Sequence, residues 1–237
     1  MKRLTAITGV SLAVVAISLS LAGCGGGNKQ ATTTSTSTST STTTTSAKAS
    51  SSKVAPRTAE KAPGPNPTIA SYIQQNGIVE TPVHMGDPGS PTINLPFPPG
   101  WQNAGSDTPD WAYGAIIYTG PEAAEYTPSI VAIVSKLTGN VDPQKIIDLA
   151  PGELNNLSGY KPMNEGATST LGGFQAYQLG GTWVDNGQTK IVAQKTVVIP
   201  GADGLFVLQL NADGLDNQMD IVSAATDVID QQTTITP

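Results

Sequence analysis

Apolar residues recur along the chain at two spacings, and the switches between them predict the elements. Ile69, Tyr72 and Ile73 fall on one helical face, with capping oxygens at Asn66 and Thr68 before them and Gly77 after, which predicts a short first helix. Residues 84–101 are dense in Pro and Gly and leave room for one brief strand at 92–95. Strands follow at 111–118 and 129–137, separated by a loop holding Gly120, Pro121 and Pro128. Asp142-Pro143 then opens a helix in the favoured cap-then-proline order, with Ile146, Ile147, Leu149 and Leu154 as its apolar residues and Pro151 expected to kink it. Residues 174–184 and 189–199 read as strands joined through Asp185-Asn186-Gly187, and Asn-Gly between two such runs signals a tight hairpin. A turn at 201–204 leads into a third strand at 205–211. A last helix is expected over about residues 216–231, where Ile221, Val222, Ala225, Val228 and Ile229 make one apolar stripe.

Consecutive antiparallel strands with helices interspersed, and no strict strand–helix alternation, predict an α+β domain: an antiparallel sheet covered by helices. That single domain is expected to occupy residues 68–237. No internal repeat of useful length is present.

The first 67 residues follow a different pattern. Met1-Lys2-Arg3 is a positive start, residues 4–22 carry no charge and are rich in Ala, Val, Ile and Leu, and Leu21-Ala22-Gly23-Cys24 resembles a bacterial lipobox. Residues 1–23 are therefore expected to be a lipoprotein signal peptide and Cys24 the lipidated first residue of the mature chain. An uncleaved membrane helix has the same length, but glycines at 23 and 25–27 around a lone Cys favour cleavage. From Thr32 to Ser46 all fifteen residues are Thr or Ser, and no apolar period exists up to residue 67. Residues 24–67 thus read as a disordered tether with a coil span of about 35–40 Å. Its composition suits both a bare spacer and an O-glycosylated one.

Charge divides along the same boundary. Residues 24–67 carry five basic residues against Glu60 alone, whereas residues 68–237 carry 17 acids against five lysines and no arginine. A basic tether is drawn to anionic headgroups while the acidic domain is held off them. Five scattered lysines cannot neutralise a phosphate backbone, which excludes nucleic acid as a partner.

Counting excludes most catalytic constellations. His84 is the single histidine, it sits in a Pro- and Gly-rich loop, and no Gly-x-Ser-x-Gly elbow occurs. Zinc and nucleotide sites lack their ligands, so neither metal nor cofactor is expected. Asp213, Asp216 and Asp220 depart from the EF-hand pattern and are better explained by capping and the helix dipole. The candidate ligand-binding residues are the aromatics on or beside strands: Trp101, Trp111, Tyr113, Tyr118, Tyr177 and Trp183. Aromatics among Asn, Gln and Asp suit a sugar or glycolipid pocket; ordinary core packing accounts for the same residues.

Pro98-Pro99-Gly100-Trp101, the segment Ala132-Ile133-Val134-Ser135-Lys136-Leu137-Thr138-Gly139 and the segment Asp148-Leu149-Ala150-Pro151-Gly152-Glu153-Leu154 together resemble the LpqN/LpqT family of mycobacterial lipoproteins. Thr170-Leu171-Gly172-Gly173-Phe174, the stretch at 193–200 and the ending at 229–237 extend the resemblance across the domain. It implies a PsbP-like fold and a role in building the mycobacterial envelope, with MmpL-type exporters and trehalose-based glycolipids as partners. It implies no catalytic residue. The expected function is a non-enzymatic accessory lipoprotein on the periplasmic side of the membrane. The alternatives are a hydrolase or transferase working on glycolipid through paired carboxylates, and an adaptor that binds protein alone.

The anchor is directly testable. Two or three acyl chains, at about 0.8 kcal/mol per buried CH₂, hold a protein firmly where one does not. Cys24→Ala should be exported yet recovered in the soluble fraction; full retention in the membrane fraction would overturn the lipoprotein reading.

Overall fold

Thr68 sets the start of the first helix, α1 (Ile69–Gln75). Its hydroxyl accepts from the Ser71 amide at 3.1 Å while Ser71 Oγ accepts from the Thr68 amide at 2.9 Å, a reciprocal cap. These positions come from a computed structural model that describes residues 53–54 and 64–237; the leader, Cys24 and the Thr/Ser run lie outside the described residues.

Past Gly77, whose φ of +61° suits glycine, the chain enters β1 (Val79–Val83), a strand the pattern does not announce. Only Val83 of the five is buried, so there is no alternation to read. The short β2 (Thr92–Asn94) lies where a strand is expected, but its partner is β11 (Thr234–Thr236) at the far end of the chain. The strands β3 (Trp101–Asn103), β4 (Gly114–Tyr118) and β5 (Ser129–Thr138) follow. Asp142 caps α2 (Pro143–Leu149) by accepting from the Gln144 amide at 2.9 Å. Pro151 does more than kink this helix: lacking an amide hydrogen, it ends the first run, and α3 (Gly152–Asn155) starts after it.

The rest of the chain is mostly sheet: β6 (Lys161–Pro162), β7 (Ala167–Leu171), β8 (Phe174–Asp185), β9 (Gln188–Gly201) and β10 (Gly204–Leu215). Asn186 and Gly187, at φ +51° and +81°, form the type I′ turn between β8 and β9. Gly172 and Gly173, at φ +55° and +87°, make the equivalent turn between β7 and β8. The final helix, α4 (Met219–Gln232), buries Val222, Ala225 and Ile229 of the expected stripe, while Ile221 and Val228 are half-buried.

All pairings are antiparallel, and the main sheet runs β3-β4-β5-β10-β9-β8-β6. β1 shares the outer edge of β5 with β4, and β7 shares that of β8 with β6. Helices cover both faces. α4 packs over one, on a core that includes Ala132, Val134, Ile191, Val197, Ile199 and Leu208. On the other, α1 and α2 cover Leu137, Val198, Leu205 and Val207, and the α3 region covers Leu179, Trp183 and Val192. Burying Val222 and Ile229 alone contributes about 1.5–3 kcal/mol each.

A close approach fixes where the domain begins. Asn66 and Asn156 bond reciprocally: the Asn66 amide donates to Asn156 Oδ1 at 2.9 Å and Asn156 Nδ2 donates to the Asn66 carbonyl at 2.9 Å. Alongside, a Cβ on Gly152 would collide with the Pro67 carbonyl, a backbone atom that cannot rotate away. Gly152→Ala should therefore cost about 1–3 kcal/mol in urea unfolding; unchanged stability would show that the 64–67 segment does not depend on this contact.

Candidate functional site

Three strands of the meander place small residues in one transverse row on the α4 face. Gly180 of β8 stands opposite Ala193 of β9, which stands opposite Ala212 of β10. No side chain larger than methyl rises from that row to fill the space beneath α4, and a cavity of about 580 Å³ remains between helix and sheet. This lies within the range of small-molecule sites. Ile191, Leu210 and Ile130 extend the apolar floor, Val222 and Ile229 form the roof, and Met163 and Asn164 stand at the rim before β7. Met163 is half exposed.

The polar end is built by Lys195 and Asp230. Lys195 is almost fully buried beneath α4, and its Nζ meets Asp230 Oδ1 at 2.6 Å. Gln178, opposite Lys195 in β8, and Asp227 border the same space. The arrangement is an apolar slot with a few convergent polar groups at one end, suited to a ligand with an aliphatic part and a hydroxylated head.

None of the six candidate aromatics borders this cavity, and the sheet divides them. Trp101, Tyr113 and Tyr118 belong to the α4-side core near β3 and β4: Trp101 and Tyr118 pack with ring centroids 5.9 Å apart, and Tyr118 donates to Glu122 at 2.9 Å. That bond holds the Tyr118 hydroxyl above its ordinary range, while a backbone hydrogen bond at Glu122, joined by the Tyr118 donation, keeps the Glu122 carboxyl below its own. Trp111 is half-buried on the opposite face, where Trp183 is buried and Tyr177 half-buried, the latter donating to the Glu165 carbonyl at 2.9 Å. Near Trp183, Gly181 admits the ring of Tyr160, whose hydroxyl burial pushes up to about 12. Sequence reasoning missed the lining residues because Gly180, Ala193 and Ala212 are inconspicuous singly. Only strand register aligns them. The Gly180-Gly181 pair in a strand pattern was the available signal.

The three aspartates near the last helix separate. Asp216 and Asp220 lie in the first turns at its start, whereas Asp213 lies in β10 within a buried ion network. Lys190 Nζ is 3.4 Å from Asp185 and 3.6 Å from Asp213, lies 4.6 Å over the Tyr126 ring, and donates to the Tyr126 hydroxyl at 2.9 Å; Tyr126 in turn donates to Asp213. Burial raises the Asp213 carboxyl above its ordinary value despite the opposing pull of Lys190 and Tyr126, and burial with the nearby acids raises the Tyr126 hydroxyl strongly. Gln218 donates to the Glu122 and Tyr126 carbonyls at 2.7 and 2.9 Å, pinning the loop that carries Tyr126. Among the described residues no three His, Cys, Asp or Glu side chains are grouped to hold a metal, and no helix is long and apolar enough to cross a membrane.

Residues 65–236 match the family model described as probable lipoprotein LpqN. The chain belongs to the LpqN lipoprotein family. Lipoprotein LpqN of Mycobacterium tuberculosis (strain ATCC 25618 / H37Rv) is 55% identical over 177 residues, covering 75% of this chain and 77% of that one. The crystal structure of LpqN, described as involved in cell envelope biogenesis of Mycobacterium tuberculosis, superimposes with a TM-score of 0.69 over 73% of this chain and all of that chain. The Saccharomyces cerevisiae Ran-binding protein Mog1p reaches a TM-score of only 0.35 at 15% identity.

The ion network yields a stability prediction. Lys190→Met leaves two buried carboxylates without their cation and should cost about 3–5 kcal/mol at pH 7 in urea denaturation. Because folding raises the Asp213 pKa above 3.8, the folded state holds that proton where the unfolded state has released it, and this component of stability falls as pH rises through the interval. Asp213→Asn should remove that component from the pH profile, and a superimposable profile would contradict it.

Proposed function

We propose that this protein is a membrane-anchored lipoprotein of the periplasmic side that serves mycobacterial cell-envelope biogenesis without catalysing a reaction. It binds a trehalose-type glycolipid, an MmpL-type exporter, or both in sequence. The observation that carries the ligand is the slot under α4, apolar along its floor and closed by the Lys195–Asp230 pair at 2.6 Å. An acyl chain matches the floor. The hydroxyls of a disaccharide match Lys195, Asp230, Gln178 and Asn164, which take over the headgroup role that the sequence suggests for the aromatics. The kinship with an LpqN described as involved in cell envelope biogenesis supports the setting, and the PsbP-like classification belongs to the same proposal. Lipidation at Cys24 makes membrane encounters effectively intramolecular, so modest affinity suffices.

The test is calorimetric titration of residues 25–237 with an acyl-trehalose at two temperatures, beside Ala193→Phe, whose ring fills the slot. Saturable binding with a negative heat-capacity change is expected, weakened at least tenfold in the variant at unchanged circular dichroism. No binding by the parent protein would sink the glycolipid reading. Hydrolysis or transfer of the ligand during the titration would instead establish the carboxylate enzyme.

A further inference from the structure

On the sheet face opposite the slot, a small apolar notch is formed by Ala104, Ala112, Ala115, Ile117 and Val131, with Trp111 and Ile133 half-buried beside it. Alanines at three of these positions leave a depression about the size of one branched side chain. Val54 fills it and is only 6% exposed. Between Cys24 and Pro67 the sequence is Gly, Ser, Thr, Ala, Pro and polar residues, and Val54 is the single larger aliphatic residue among them. Among the described residues of the tether, Val54 is the one buried.

We propose that the notch is a docking site for the chain's own tether, with Val54 as its anchor. Charge favours the same occupant. Lys48, Lys53, Arg57 and Lys61 surround Val54 in sequence against Glu60 alone, while the domain carries 17 acids and five lysines, two of which, Lys190 and Lys195, are buried in ion pairs. Asp107 and Asp110 lie in the segments that supply Ala104 and Ala112 to the notch. Geometry permits the attachment. Asn66 is held by Asn156 near α3, and the ten-residue step from Val54 to Gly64 reaches about 33–36 Å when extended, against about 4.8 Å per strand crossed from β4 to β8.

Docking at Val54 leaves 29 residues between it and Cys24 and sets the point at which the tether leaves the domain over β4 and β5. The notch and the slot lie on opposite sheet faces, so an attached tether leaves the slot open, and the docking is independent of the ligand proposed above.

Trypsin acting on the mature chain without its lipid, residues 25–237, tests this with an internal standard. Cleavage after Lys53 and Arg57 should be at least tenfold slower than after Lys29 or Lys48. Val54→Ser should bring Lys53 and Arg57 to the rate of Lys29, and Val54→Ile should keep them protected, with both variants still folded by circular dichroism. Equal cleavage at all four sites in the parent chain would overturn the proposal. So would protection that survives in Val54→Ser.

Discussion

The register of the β8–β9–β10 meander is the constraint on which the rest depends. Side chains alternate across a strand with period two, so a slip of one residue would carry every group to the wrong face. The two-residue turn at Asn186-Gly187 fixes Ala193 against Gly180, and the tight return at Gly201 to Gly204 fixes Ala212 against Ala193. One register therefore does three things together. It aligns the small residues that leave the gap beneath α4, it sends Lys195 beneath α4 toward Asp230, and it sends Lys190 to the other face between Asp185 and Asp213.

The two faces then divide the work. On the α4 side, packing is left incomplete at the middle of the sheet, and the missing contacts are what a ligand would supply. On the opposite side, three short helices and the ion network close the surface, and Gln218 ties the loop after β4 to the start of α4. Lys190 and Lys195 are buried together with carboxylate partners, so the exterior keeps the strong acidic excess of the domain. An exterior of that sign is repelled by anionic headgroups.

Much of the secondary structure was legible because the signals are local. The reciprocal cap at Thr68, the Asp142-Pro143 start, the Asn-Gly hairpin and the stripe of α4 each depend on neighbours within a turn or two of chain. What escaped was non-local. β1 and β11 are short and mostly exposed, and each becomes a strand only because a partner edge lies beside it: β5 for the first, β2 for the second, 140 residues from it along the chain. Pro151 shows a local signal read too weakly, since the missing amide hydrogen broke the helix outright.

The sequence by itself determined the α+β class, the likeness to a lipoprotein family and the segregation of basic tether from acidic domain, because these follow from residue order, motif and composition. The tertiary structure alone decided where a ligand fits. An aromatic announces its size in the sequence, but whether it faces a core or a cleft depends on what packs against it, and here all six lie away from the slot. A cavity is made by what is absent from a surface. Gly180, Ala193 and Ala212 lie 13 and 19 residues apart in the chain and become one gap only when register brings them side by side.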